Sequence, residues 1–377
     1  MARGRATEKI HMRSTFFQRY LLPGIIFQSV LIGGAYSTGR EIVEYGARYG
    51  RYGLWSVLLI FIGFSLISTI AFEVARSTRS YDYRSFIRLL IGPLWPLFDL
   101  LYVAMAVITV AVVGSASGSI VEQVLGWPYW VGVVLVIAVA GALMVGGRHV
   151  IERFKTLGSV VLYSGYLLFA CQVLSQRGVQ ILEGFKAEPP DSAGAAAAIT
   201  AGILYVGYNL GTLPATFFVL DRQQKRRESL WAGFIAGLFS TLPFLLTYLC
   251  IMSFYPDSGV VDAPVPWLVM LAGASRQWVL PLYGIVIVWT LIETSTGMTH
   301  AIIDRISVHL KELGRGELGR VQVAVITVTI LGTAALLSRF GIIALVARGY
   351  QAMAYGFLLL FALPLLTVGL RLLWKQR

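Results

Sequence analysis

The chain has 377 residues, of which 57% are hydrophobic and only 13% charged, and its mean hydropathy is +0.73. A soluble protein needs far more polar surface than that, so lipid is the only solvent that suits most of this chain. The formal net charge of +12 would point to nucleic acid in a soluble protein, but the basic residues fall between apolar runs, where a topological reading explains them better and no nucleic-acid partner is expected.

Residues 1–19 are basic and polar and lack the apolar stretch of a cleavable signal peptide. They predict a cytoplasmic tail with some propensity to lie on anionic lipid. Beyond them, apolar runs of about 20 residues recur, the length that crosses roughly 30 Å of hydrocarbon as a helix. The predicted fold is therefore an all-α membrane protein with ten transmembrane helices, over 20–47, 54–75, 94–123, 129–147, 155–175, 194–220, 230–254, 277–303, 321–337 and 342–370. Placing successive connections on alternate sides puts 23 Lys and Arg on one side and 6 on the other, with Arg40 and Arg348 inside spans. Such a bias marks the cytoplasmic side. Both termini are expected there, including a short tail over 371–377.

The first span contains Ile32-Gly33-Gly34-Ala35-Tyr36-Ser37-Thr38-Gly39-Arg40-Glu41, and the sixth contains Tyr205-Val206-Gly207-Tyr208-Asn209-Leu210-Gly211-Thr212-Leu213-Pro214. Glycines and small polar residues stand near mid-depth in both. The two motifs lie five spans apart, at matching places in halves of opposite orientation. Glycine-interrupted helices at corresponding positions mark the solute site of inverted-repeat transporters, because unwound backbone in hydrocarbon is tolerated only where it lines a cavity. Close helix packing is the competing explanation for glycines taken singly. Domain boundaries follow: a first five-helix repeat over 20–175, an outer connecting loop over 176–193, and a second repeat over 194–370. A half-helix beginning near Tyr36 would present free N–H groups to an anionic group of the solute. Tyr36, Tyr205 and Tyr208 supply aromatic walls or hydroxyl contacts, or serve as core packing. Thr109, midway along span three, is a further lining candidate.

After span seven, the segment 255–277 carries Pro256, Pro264, Pro266, Asp257 and Asp262, which predicts an outer lid. Glu293 lies near the middle of span eight, where a carboxylate costs about 2.5–3.5 kcal/mol on insertion scales. It is kept for ion binding or a proton relay, or it forms an internal bridge to Arg40 or Arg348. Arg40 and Glu41, two turns above the glycine pair, make an outer gate with Glu44, Arg348 or the lid acids, or else a solvated cluster in a vestibule. Asp99, Asp304, His300 and Lys155 lie near cytoplasmic span ends, where interface solvation accounts for them. Gly114–Gly118 and Gly233–Gly237 have the spacing of packing motifs. Cys171 and Cys250 each sit inside an apolar run and are expected as two buried free thiols. Motifs for an enzyme are absent, and His149, with Arg148 and Glu152, falls in a short loop.

These residues resemble a known family. The ten-span plan, the interrupted first and sixth spans and the Ser/Thr-rich eighth are similar to the LeuT-type fold of the amino acid–polyamine–organocation superfamily. Gly-Gly-Ala-Tyr-Ser-Thr-Gly-Arg-Glu-Ile and Leu-Tyr-Val-Gly-Tyr-Asn resemble its YkvI-type group of bacterial membrane proteins, across about residues 15–375. The resemblance implies spans one, two, six and seven rocking against three, four, eight and nine, with the solute between spans one and six. It implies a sodium site formed by carbonyls near Ile32 and Ala35 with Thr294 and Ser295. Glu293 directly before that hydroxyl pair departs from a pure sodium scheme and leaves room for a proton. The expected function is a cation-coupled symporter of a small polar solute, an amino acid or related zwitterion, in the bacterial cytoplasmic membrane. No cofactor is expected besides Na+ or H+ as coupling ion, and no obligatory protein partner. A channel-like ion pathway or a non-transporting sensor is the alternative.

Overall fold

The computed structural model describes residues 16–146, 148–189, 194–274, 278–316 and 318–375, with side chains described outside 145–161. Most of the predicted N-terminal tail, parts of the connecting loop (190–193) and lid (275–277), and the last two residues lie outside that set, as do the side chains of Arg148, His149, Glu152 and Lys155.

The described chain folds into helices and contains no strand. A wide turn over Phe17–Leu21 leads into α1, Leu22–Leu31, with Pro23 at its start, where the missing N–H breaks no helical bond. Then the helix stops. Ile32 leaves helical space, Gly34 and Gly39 take φ of +50° and +85°, and helix resumes as α2, Arg40–Tyr45. Only glycine enters that left-handed region without strain. Next come α3 (Gly53–Thr78) and α4 (Tyr83–Ile91), the latter capped by Asp82, whose carboxylate accepts from the Ser85 N–H at 2.8 Å. There follow α5 (Trp95–Leu125), α6 (Tyr129–Gly146) and α7 (Arg148–Arg177). The helix α8 (Ala195–Asn209) continues as a tighter 3-10 helix over Leu210–Arg222. The remainder is α9 (Arg226–Met252), the short α10 (Pro266–Ala274), α11 (Val279–Glu312), α12 (Arg320–Ser338) and a composite α13 (Gly341–Lys375).

Among the described residues seven helical stretches are long and apolar enough to cross a membrane, and they match predicted spans two, three, six, seven, eight, nine and ten. Predicted span four is a shorter apolar helix, Tyr129–Met144, and span five falls within α7. Span one is two pieces, as its glycines require. Span six differs from expectation. It stays α-helical through Asn209 and then changes pitch instead of unwinding, with Thr212 and Thr216 hydroxyls bonding back to the carbonyls of Asn209 and Leu213. Gly207 serves close packing there: a methyl group at that position would press on Leu358 and Ala354 of α13.

The helices sort into two groups by contact. In one, α3 lies along α9 and α8, and α1 rests on α9. In the other, α5 packs with α6, α11 and α12, while α13 touches both α8 and α5. The α3–α9 contact is backbone-close, because a methyl on Gly233 would strike Thr69 and one on Gly237 would strike Ser65. Cys250 is buried, but Cys171 faces outward from the bundle, contrary to its expected burial, since the apolar run that holds it is lipid-facing there.

Gly237→Leu is expected to cost about 1–3 kcal/mol by overpacking and to lower the melting temperature of the purified protein. Gly284→Leu, where an added Cβ meets nothing within 4 Å, should leave it unchanged.

Candidate functional site

At hydrocarbon depth each peptide N–H needs a partner, because there is no water to supply one. The break in the first span meets this demand largely from within. The N–H of Ile32 reaches Gln28 O, Gly33 reaches Leu31 O, Tyr36 reaches Gly33 O, Thr38 reaches Ala35 O, and Gly39 reaches Tyr36 O. Arg40 N–H donates to the Thr38 hydroxyl at 3.1 Å. One donor goes outside. Gly34 N–H donates to Thr294 Oγ1 of α11, also at 3.1 Å. Gly33 allows this approach, since a Cβ there would lie 2.8 Å from the same oxygen.

On the N-terminal side of the break a cavity of about 430 Å3 opens. Ser29, Ile32 and Gly33 form one wall, Tyr102 of α5 and Tyr163 of α7 two others, and Ala215 a fourth. The last wall is a stripe of α11: Thr290, Glu293, Thr294, Gly297 and Ala301, whose spacing places them on one helix face. Ser29 and Ala215 are exposed at its rim. Tyr163 Oη is buried without a hydrogen-bond partner. Among the described residues that line the cavity none is Lys, Arg or His. The guanidinium of Arg305 lies just outside, over the Tyr102 ring at 3.6 Å.

The other side of the break is sealed. Among the described residues Ser37, Tyr166, Trp267 and Tyr283 close around a void of about 10 Å3. Tyr283 Oη donates to Ser37 O at 3.1 Å, and Trp267 of α10 stands against Gly39, where a Cβ would come within 3.1 Å of it. Arg40 fastens the lid. It is 3% exposed and donates to Val261 O at 2.7 Å and Ala263 O at 3.2 Å, with Glu44 at 3.2 Å as its ion-pair partner. Glu44 also holds Arg48, at 2.5 Å. Glu41 is not a vestibule residue: it is buried, and Tyr208 Oη donates to it at 2.6 Å, tying α2 to α8. Arg348 is exposed and faces a separate cleft of about 450 Å3 bordered by Pro264 and Ser119.

The other predicted residues spread out. Ala35 and Tyr36 are buried in the break, the latter beside Tyr166. Ser37 and Thr38 hydroxyls bond back to Gly34 O and Ala35 O. Thr109 donates to Met105 O, and its methyl sits 3.5 Å from where a Gly34 Cβ would be. Tyr205 and Tyr208 belong to an aromatic cluster with Tyr45 and Phe244, Val206 packs on Gly63, and Asn209 donates to Tyr205 O. None of these span-six residues lines the cavity; Ala215, further along, does. Of the sodium set, Ser295 Oγ is buried with no hydrogen-bond partner and so has ligand capacity. Thr294 keeps one lone pair beyond the Gly34 bond. Ala35 O already accepts from the Thr38 hydroxyl and N–H, while Ile32 lines the cavity.

Charges near the N-terminal side form two networks, not solvated singletons. Glu228 holds Arg19 at 2.8 Å, and Glu73 holds Arg76 at 2.7 Å and accepts from Ser229, which joins the lead-in to α1 with α3 and α9. Asp99 holds Arg305 at 2.5 Å, and Glu312 holds Arg84 at 2.8 Å and Arg88 at 3.1 Å, which joins α4, α5 and α11. His300 pairs with Asp304 at 3.0 Å.

Set against solved structures, this architecture is similar to a manganese transporter of Eremococcus coleocola in complex with an aromatic bis-isothiourea substituted compound. Identity is 12%, the TM-score 0.56, and 94% of this chain and 79% of that chain are covered. It is also similar to a Na+-coupled sialic acid symporter in a substrate-bound outward-open state, at 10% identity and TM-score 0.50, covering 94% of this chain and 86% of that one. This chain shares the fold of these two proteins. No family model matches the sequence, and neither does the sequence of any curated protein.

Two sequence changes probe the break and its seal. Thr294→Val strands the Gly34 N–H and is expected to cost about 1–3 kcal/mol, read as a lower melting temperature that Thr294→Ser restores. Arg40→Met frees the lid carbonyls, and labelling of a Ser37→Cys reporter by an impermeant thiol reagent is expected to rise.

Proposed function

We propose that this chain is a secondary active transporter, a cation-coupled symporter that moves a small polar solute bearing an amino group by alternating access in the bacterial cytoplasmic membrane. One observation carries this reading: a cavity reaches the interrupted backbone at Ile32–Gly33, with Glu293 in its wall, while Trp267, Tyr166 and Tyr283 seal the opposite face. A site reached from one side at a time is what alternating access requires. The sealed face also argues against a passive channel.

In this reading ten spans form two repeats, 20–175 and 194–370, as in the LeuT-type fold, with both termini cytoplasmic, and the motifs of spans one and six place the chain in the YkvI-type group. The cavity then faces the cytoplasm. The helices α1, α3, α8 and α9 move against α5, α6, α11 and α12, and this division is supported by separate ion-pair networks, one tying the lead-in of α1 to α3 and α9, the other tying α5 to α11. Arg40, with Glu44 and the lid carbonyls, is the outer gate. Glu41 steadies the gate through Tyr208, and Arg348 flanks it. A coupling sodium ion would be held by Ser295, Thr294, Ile32 and Ala35; a coupling proton would be held by Glu293. Any positive charge beside Glu293 lowers the cost of enclosing that carboxylate in hydrocarbon.

The same geometry narrows the solute. Free N–H groups near Tyr36 would suit a carboxylate, but those of Tyr36, Thr38, Gly39 and Arg40 are already bonded. What the cavity wall offers instead is the Glu293 carboxylate, the Thr290 hydroxyl, whose own hydrogen is donated to Val286 O, and Tyr163 Oη, which can accept as well as donate. These suit an ammonium group. Among amino acids, related zwitterions and plain amines, the amino end is the part that this wall recognises.

Proteoliposome uptake under an imposed sodium or proton gradient tests the proposal, with amino acids and their decarboxylated amines as the panel. Saturable, gradient-dependent accumulation is expected. Glu293→Gln should reduce it by about tenfold or more, as loss of a charge-assisted hydrogen bond would, without lowering the melting temperature. No driven accumulation of any panel member would sink the reading, and binding without uptake would make the protein a sensor.

A further inference from the structure

A second cavity, of about 1110 Å3, lies on the outside of the bundle between α6 and α12. The two helices run antiparallel and meet at their ends. Tyr129 Oη donates to Ser338 O at 2.8 Å at one end, and Met144 and Val323 share a small apolar cluster at the other. Between these contacts the small residues Ala138 and Ala142 on α6 and Ala324 and Gly332 on α12 leave a gap, while Leu331 packs across to Gly141, 3.4 Å from where a Cβ there would lie. A Cβ added to Gly332 meets nothing within 4 Å. A gap with apolar walls, open on the face that a membrane covers, is filled by hydrocarbon, since close packing recovers the dispersion contacts that a void forfeits.

Two polar features make this groove more than a place for any acyl chain. Arg320 lines its end as the first residue of α12 and is exposed, with no ion-pair partner among the described residues. A basic residue at a helix N-terminus works against the helix dipole. It adds its charge to the positive end of a 19-residue helix, which attracts an anion. The second feature is Thr327, in the groove wall, 5% exposed, with a hydroxyl that has no hydrogen-bond partner. A buried hydroxyl without a partner is costly. It stands seven residues along the helix from Arg320, about 10 Å at 1.5 Å per residue.

We propose that this groove binds one anionic phospholipid. The phosphate meets Arg320 at the membrane surface, an ester oxygen accepts from Thr327, and an acyl chain lies in the groove beside Gly332. The negative headgroup is argued from Arg320, and the depth of the polar linkage from Thr327. The site is distinct from the solute cavity, whose walls share no residue with it.

The test uses the full chain in nanodiscs of phosphatidylcholine, alone or mixed with phosphatidylglycerol, read by native mass spectrometry and thermal unfolding. The wild type is expected to retain phosphatidylglycerol and to melt higher when it is present. Arg320→Gln should weaken retention about fivefold, the worth of one basic residue near an anionic surface. Gly332→Phe should abolish retention by filling the groove while melting in phosphatidylcholine stays as in the wild type. Arg320 is exposed, so Arg320→Gln decides the matter even if Gly332→Phe folds poorly. Equal retention of phosphatidylglycerol by wild type and Arg320→Gln would overturn the proposal. So would equal retention of phosphatidylcholine by the wild type, the same thermal shift from inorganic phosphate, or a wild-type dimer that Gly332→Phe splits.

Discussion

The need of every peptide group in hydrocarbon for a hydrogen-bond partner governs this structure. A helix meets it automatically; the stretch from Ile32 to Gly39 does not, and it survives because short local bonds and one hydroxyl of a distant helix take over. The bond from Gly34 N–H to Thr294 joins the first span to the eighth. It requires glycine at 33, to let the hydroxyl approach, and a positive φ at 34. Most of the backbone donors at the break are thereby spent, and the polar groups that line the cavity are mainly side chains of α11 and α7.

Charge is arranged with the same economy. On the N-terminal side Glu73, Glu228, Asp99 and Glu312 each meet arginines, in two separate networks. On the sealed side, by contrast, Arg40 spends its donors on carbonyls of the lid, and Glu41 accepts from a tyrosine of α8. Charged ties thus run within helix groups on one side of the break and between α2, α8 and the segment 255–277 on the other. Removing one partner of a buried charged contact is costly, so each tie also limits which rearrangements are accessible.

The legible part of the sequence was the part that follows from local composition. Apolar runs showed the spans, and Gly33-Gly34 with Gly39 showed the break, because helix interruption is written in the residues that interrupt it. The stripe of Thr290, Glu293, Thr294 and Gly297 also lies in plain view, since helical periodicity puts those positions on one face. Span six misled for a physical reason. Gly207 has the composition of a break, yet its missing side chain serves contact with Ala354 and Leu358 far along the chain. Tyr102 and Tyr163 went unnoticed as cavity walls because nothing near them in sequence distinguishes an inward tyrosine from an interfacial one. Asp99 likewise reads as a solvated group and Glu41 as either a gate residue or a solvated one, because their partners Arg305 and Tyr208 lie far away in sequence.

By itself, then, the sequence determined the solvent, the apolar segments and where the first of them must come apart, since hydropathy and glycine content act over a few residues. Tertiary structure decided which donors at that interruption remain free, which face of it is closed and which carboxylates have arginines. Those outcomes depend on pairs such as Gly34 with Thr294 and Arg40 with Ala263, whose members are more than two hundred residues apart, and no local pattern encodes a meeting at that distance.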